Sequence, residues 1–163
     1  MIILGVDPGS ARTGFGVVSC HKRDDHVLVE QGVIAPSSRL PLPERLRHIH
    51  AGICEIIARQ QPDVLAVEDV FHAVNTRTAL VLGHVRGVVL LAGAIAGLPV
   101  ATYPPATIKA QIAGYGRADK KQVAYMISRH LKLSSDSPPG DAADALAVAL
   151  CHAFLKQNGS MPT

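Results

Sequence analysis

Ile2-Ile3-Leu4-Gly5-Val6-Asp7-Pro8-Gly9 decides how the rest of the chain is read. Five residues of continuous apolar run, too few for a helix, read as a central strand buried on both faces. The run ends abruptly on a carboxylate. Gly9, Gly14 and Gly16 punctuate a turn, and Phe15–Cys20 reads as a second strand. A turn at Lys22–Asp25 leads to a third strand at Val27–Ile34. Short links between successive strands predict an antiparallel meander. With no basic region ahead of it, the opening run reads as a strand and not as a secretory signal.

Downstream, Leu46, Ile49, Ile53, Ile56 and Ile57 recur at three and four, predicting an amphipathic helix from Pro43 to Gln60 that Pro62 closes. Val64–Val67 is another buried strand, and Glu68 ends it as Asp7 ends the first. Asn75–Gly97 has a long helical pattern with Ala79, Gly83 and Gly87 at intervals of four, so a second element is expected to approach that stripe closely. Pro99–Tyr103 reads as a fifth strand, and Pro105–Ile112, Asp119–Leu131 and Asp141–Phe154 as helices. This order predicts an α/β fold, a five-stranded mixed sheet flanked by helices on both faces.

With 163 residues, 48% apolar and 18% charged, the chain suits one domain with a substantial core and not a disordered segment. That domain is expected over residues 1–156, followed by a short flexible tail, 157–163. There is no Trp, so Ala, Val, Leu and Ile must build the core. The chain runs uncharged from Gly87 up to Lys109, but its apolar part ends near Pro99, short of the roughly 20 residues a membrane span needs. No membrane association is therefore expected. Cys20, Cys54 and Cys151 lack any CxxC or zinc spacing and read as small buried hydrophobes, in keeping with a cytoplasmic protein.

Net charge is +3, unevenly spread. Between Ala101 and Lys132, six basic residues (Lys109, Arg117, Lys120, Lys121, Arg129, Lys132) face one acid, Asp119, while the remaining chain is slightly acidic. Such a segment suits either a solvated helix face or a polyanionic partner.

Four acids stand in surroundings that otherwise read as core. Asp7 and Glu68 close apolar strands; Asp141 and Asp144 lie three apart, one turn apart on one face of the most apolar helix. An N-terminal cap plus a first-turn acid would account well for Asp141 and less well for Asp144. Taken together, carboxylates in a poorly hydrated site repel unless a cation neutralises them. An all-oxygen set favours Mg²⁺ or Mn²⁺ over zinc, and a pair of such ions is the apparatus of phosphodiester hydrolysis. Asp69, next to Glu68, points to the opposite side of its strand. His72, His84 and His152 read as satisfied or exposed histidines.

Asp7-Pro8-Gly9-Ser10 with Gly14-Phe15-Gly16, Glu68-Asp69-Val70-Phe71, and Gly140-Asp141-Ala142-Ala143-Asp144-Ala145-Leu146-Ala147 resemble the RuvC family in order and spacing, over roughly residues 2–154. The resemblance implies an RNase H-like (retroviral integrase superfamily) fold and a structure-specific endonuclease. Such an enzyme resolves Holliday junctions by paired nicks in strands of like polarity, leaving 5′-phosphate and 3′-hydroxyl ends. It implies Asp7, Glu68, Asp141 and Asp144 as catalytic ligands of two Mg²⁺ ions, with Mn²⁺ able to substitute and Asp144 nearest a supporting role. Phe71 matches the family's wedge at the junction centre, and Lys109 and Lys120 its two lysines near the scissile phosphate. Lys121, Arg77 and Arg86 have no equally firm match and stand as surface or DNA-backbone candidates. The partners implied are four-way junction DNA, a second copy in a homodimer, and the RuvA–RuvB branch-migration complex. The small-residue stripe on Asn75–Gly97 is a candidate dimer face. An actin-like phosphotransferase, a non-catalytic junction binder and an RNase H-like nuclease on other substrates are the alternatives.

Overall fold

The computed structural model describes residues 1–22, 25–69, 75–133 and 140–159. Along it run β1 (Ile2–Asp7), β2 (Thr13–Lys22), β3 (Asp25–Ile34), α1 (Leu42–Gln60), β4 (Val64–Glu68), α2 (Thr76–Ile95), β5 (Val100–Tyr103), α3 (Pro105–Ala113), α4 (Lys120–His130) and α5 (Gly140–Gln157). The strands form one mixed sheet in the order β3-β2-β1-β4-β5. β1, β2 and β3 pair antiparallel, while β4 and β5 join in parallel through helical crossovers.

β1 is central, and its period of two divides the molecule. Leu4 and Val6 pack with Val17, Ile49, Ile53, Val85 and Val89 under α1 and α2. Ile3 packs on the other face with Val18, Ile108, Ile127, Leu146 and Leu150 under α3, α4 and α5. Local signals end the helices as their chemistry requires. Asp119 and Gln122 form a reciprocal capping box at α4, and the Asn75 side chain accepts from the Thr78 N–H at α2. α5 begins at Gly140, so Asp141 lies in its first turn and is not its cap. Cys20 and Cys151 are buried, Cys54 is half-buried, and all three are free thiols. His152 is a satisfied core histidine, sharing a 2.7 Å hydrogen bond between its Nδ1 and the buried Tyr103 hydroxyl.

Two glycine readings are corrected. β2 starts at Thr13, so Gly14 and Gly16 are strand residues and not turn punctuation. Gly16 pairs with Gly5 and Gly14 with Asp7 in the β1–β2 register. A Cβ on Gly5 would collide with the Ala145 carbonyl, one on Gly14 with the Asp141 carbonyl, and one on Gly16 with the Leu146 side chain. This bare strip lets α5 lie directly on the sheet. The α2 stripe, by contrast, receives no close neighbour: among the described residues nothing lies within 4 Å of where a Cβ on Gly83 or Gly87 would stand. The close approach falls at Gly93, against Leu65.

The stripe instead faces outward, flanked by Leu80, Leu91 and Ile95, which are 62%, 53% and 68% exposed. α2 also corrects the membrane arithmetic. Its 20 residues, with mean hydropathy 1.8 over the most apolar window, are long and apolar enough to span a bilayer. Counting only the uncharged stretch missed this, because the helix starts upstream and carries Arg77 and Arg86 within it. Arg86 is not a free DNA-backbone candidate: it pairs at 3.1 Å with Asp69, the residue after β4.

Candidate active site

Strand parity and the glycine strip together assemble the site. Asp7 and Glu68 share the face of Ile3 and Ala66, so both side chains emerge at the strand ends on the side covered by α5. α5 is seated closely enough on Gly5, Gly14 and Gly16 to bring Asp144 beside them. Asp7, Glu68 and Asp144 line one cleft of about 330 Å³, with Lys109 of α3, Lys120 of α4 and an apolar wall of Pro105, Ile108, Val123 and Ala147. A second cavity of about 300 Å³ adjoins it between α4 and α5, lined in part by Lys120, Lys121 and Asp144.

The electrostatics are those of carboxylates forced together. Burial, then the charge of Asp7, pushes Glu68 up to about 8. Burial also raises Asp7, and Asp144 and Asp141 raise it further. The interaction between the two side chains raises Glu68 further and opposes the rise of Asp7. Asp144 Oδ2 accepts from Lys120 Nζ at 3.0 Å, which raises Lys120. Asp141 Oδ2 accepts from Arg12 Nε at 2.5 Å.

Two of the four acids are paired with basic side chains: Asp144 with the Lys120 ammonium and Asp141 with the Arg12 guanidinium. No group of three or more His, Cys, Asp or Glu side chains among the described residues stands in metal-holding geometry. The donor set fits a hard divalent ion, being all carboxylate oxygen, and a cation there would relieve the burial and mutual negative charge that raise Asp7 and Glu68. Asp144 lines the cleft with Asp7 and Glu68, while Asp141 stands outside that lining and pairs with Arg12.

Of the remaining sequence candidates, Lys109 and Lys120 reach the cleft, Lys121 lies beside it, and Arg77 is exposed in the first turn of α2, away from the cleft lining. Phe71 and His72 lie outside the described residues. Sequence reading missed Arg12 and also Arg45, which donates from Nε to the Ser10 carbonyl at 3.1 Å and clasps the turn after Asp7. Their pairings span 129 and 35 positions, and no local pattern signals them.

The comparisons agree with this geometry. The family model for RuvC, crossover junction endodeoxyribonuclease, matches residues 3–152. The chain is 47% identical over 152 residues to the RuvC crossover junction endodeoxyribonuclease of Koribacter versatilis, covering 93% of this chain and 92% of that one. It is 51% identical over 157 residues to the protein of that name from Shewanella frigidimarina, covering 96% and 89%. The solved structure of Thermus thermophilus RuvC in complex with a Holliday junction substrate matches with a TM-score of 0.93 at 37% identity, over 99% of this chain and 98% of that one. The mixed five-stranded sheet with its flanking helices is the RNase H-like architecture that the motifs implied. The chain belongs to the RuvC family, the crossover junction endodeoxyribonucleases.

Proposed function

We propose that the chain resolves four-way DNA junctions by hydrolysing one phosphodiester in each of two strands of like polarity, with Asp7, Glu68, Asp144 and Asp141 holding two Mg²⁺ ions, or Mn²⁺ in their place. The observation that carries this reading is the convergence of Asp7, Glu68 and Asp144 with Lys109 and Lys120 on one cleft. Two bound divalent ions supply an activated water and charge neutralisation at the phosphate. Asp7 and Glu68, anchored on adjacent strand ends, give the site a rigid floor. The apolar wall of Ile108, Val123 and Ala147 limits hydration and so strengthens every charge interaction in the cleft. Lys120, 84% exposed on its side chain, is free to turn from Asp144 to a phosphate oxygen, where its charge offsets the negative charge that develops in the transition state. Lys109 of α3 lines the same cleft. Lys121 and Arg77 contact the sugar–phosphate backbone. Phe71, by the resemblance of its motif, stacks on a base at the junction centre.

A two-fold symmetric junction needs two such sites, and each chain has one. A homodimer through the exposed face of α2 supplies the second, with Leu80, Leu91 and Ile95 as apolar contacts and Gly83 and Gly87 leaving room for close approach. Arg86, tied to Asp69 inside the fold, and the packing of Val85 and Val89 favour a protein partner over lipid on this helix. The chain then works in the cytoplasm with the RuvA–RuvB branch-migration complex, as its family motifs imply.

The test is cleavage of a synthetic mobile four-way junction in Mg²⁺ and in Mn²⁺, with linear duplex as control and Asp7→Asn alongside. Paired, religatable nicks confined to the junction and abolished by the variant are expected. Binding without nicking in either metal, or indiscriminate nicking of duplex, overturns the reading.

A further inference from the structure

Arg12 stands just beyond the Asp-Pro-Gly-Ser turn, and the turn is built to aim it. Thr13, fully buried, donates from Oγ1 to the Gly9 carbonyl at 2.7 Å, and Arg45 of α1 holds the Ser10 carbonyl. Gly14 lies against the backbone of Asp141, which fixes how far Arg12 is from the first turn of α5. The guanidinium itself is loosely kept. Its side chain is 59% exposed and that of Asp141 35%, so solvent screens the pair and little holds it shut.

We propose that Arg12 is a displaceable occupant of the Asp141 carboxylate. It neutralises Asp141 while no divalent ion is bound, must leave before Asp141 can serve as a ligand, and once released binds a phosphate oxygen of the DNA beside the cleft. This rests on the metal-dependent reading above and adds a control on how that site is filled. Arg12 is a positioning residue, acting on the site through Asp141. Lys120 already stands on Asp144 in the same manner, but it lines the cleft; Arg12 does not, so its release also frees a cation outside the cleft for the substrate. A guanidinium suits both states, since its planar fork matches carboxylate and phosphate alike.

Ion uptake and Arg12 release are then one linked equilibrium, and the ion pair weakens cation binding by whatever the pair is worth. For an exposed pair that is up to about fivefold. Manganese uptake by the full-length, DNA-free protein, measured by titration calorimetry at low salt, tests it in a double-mutant cycle. Arg12→Gln is expected to bind Mn²⁺ about three- to fivefold more tightly than wild type, and this gain to vanish in an Asp141→Asn background. In parallel, Arg12→Gln is expected to weaken junction binding in Ca²⁺ but not in EDTA. Unchanged or weaker Mn²⁺ binding, a gain that persists with Asp141→Asn, or an equal loss of junction affinity with and without the cation overturns the proposal and leaves the metal site standing. Wild-type protein that takes up no Mn²⁺ at all overturns the metal reading itself.

Discussion

Gly14 lies in backbone contact with Asp141, so that even a methyl group on Gly14 would strike the carbonyl of the first turn of α5. Gly5, further along the strip, stands in the same relation to Ala145. These contacts are backbone to backbone and cannot be relieved by a rotamer change. Gly14→Ala and Gly5→Ala are each expected to cost at least about 2 kcal/mol in denaturant unfolding. Gly14→Ala is also expected to lower cleavage more than its stability loss explains, because it lifts Asp141 and Asp144 from Asp7. Full activity in a folded Gly14→Ala variant would contradict the seating of α5.

The same contact explains what could be read from the chain and what could not. The strands and the four acids were legible because a carboxylate at the end of a wholly apolar run is an anomaly visible locally, and because period two and period 3.6 are local patterns. Gly14 and Gly16 were misplaced in a turn because a glycine that yields room to a helix 130 residues away has the same local signature as one that bends the chain. The α2 stripe failed for a related reason. Small residues every four positions mark a face, but not whether its neighbour is in the same chain. Arg12, Arg45 and the Arg86–Asp69 pair are long-range ion pairs and contacts, with nothing in spacing to announce them.

The raised Glu68 makes a pH prediction. Glu68 is raised from 4.5 to about 8, so the folded protein binds more protons than the unfolded chain between those values. Stability from this group is therefore full below about pH 4.5 and lost as pH rises through about 8. Glu68→Gln removes the penalty. In chelator at pH 8.5 it is expected to be more stable than wild type by on the order of 2 kcal/mol, about 4–8 °C in Tm, with the difference shrinking toward pH 5. The same variant is expected to be inactive. A Glu68→Gln protein less stable than wild type at pH 8.5 would show that the pair carries no such strain.

Lys120 and Lys121 are neighbours in sequence with separate tasks. Lys120 stands on Asp144 in the cleft, while Lys121 lines only the adjoining cavity. Lys120→Ala is expected to lower the single-turnover rate by about 10²-fold with little change in junction affinity. Lys121→Ala is expected to weaken binding and reduce the salt slope by about one, with the rate at saturation intact. Indistinguishable variants would remove the distinction.

The outward face of α2 predicts assembly state. Gly87→Ala has open space around it and is expected to keep the fold, helped by helix propensity of up to about 1 kcal/mol. Gly87→Arg is expected to leave the chain folded but elute as a monomer on a sizing column, with wild type eluting as a dimer. A dimer that survives Gly87→Arg would move the interface elsewhere.

The central claim is that the four acids take up divalent ions, with Lys120 and Arg12 giving way on Asp144 and Asp141. Anomalous diffraction from crystals grown with Mn²⁺ tests this most directly. The account predicts peaks bounded by Asp7, Glu68 and Asp144, with Asp141 swung onto a second ion and Lys120 and Arg12 moved away. Manganese bound elsewhere, or none in the cleft of a protein that still cuts junctions in that buffer, would contradict it.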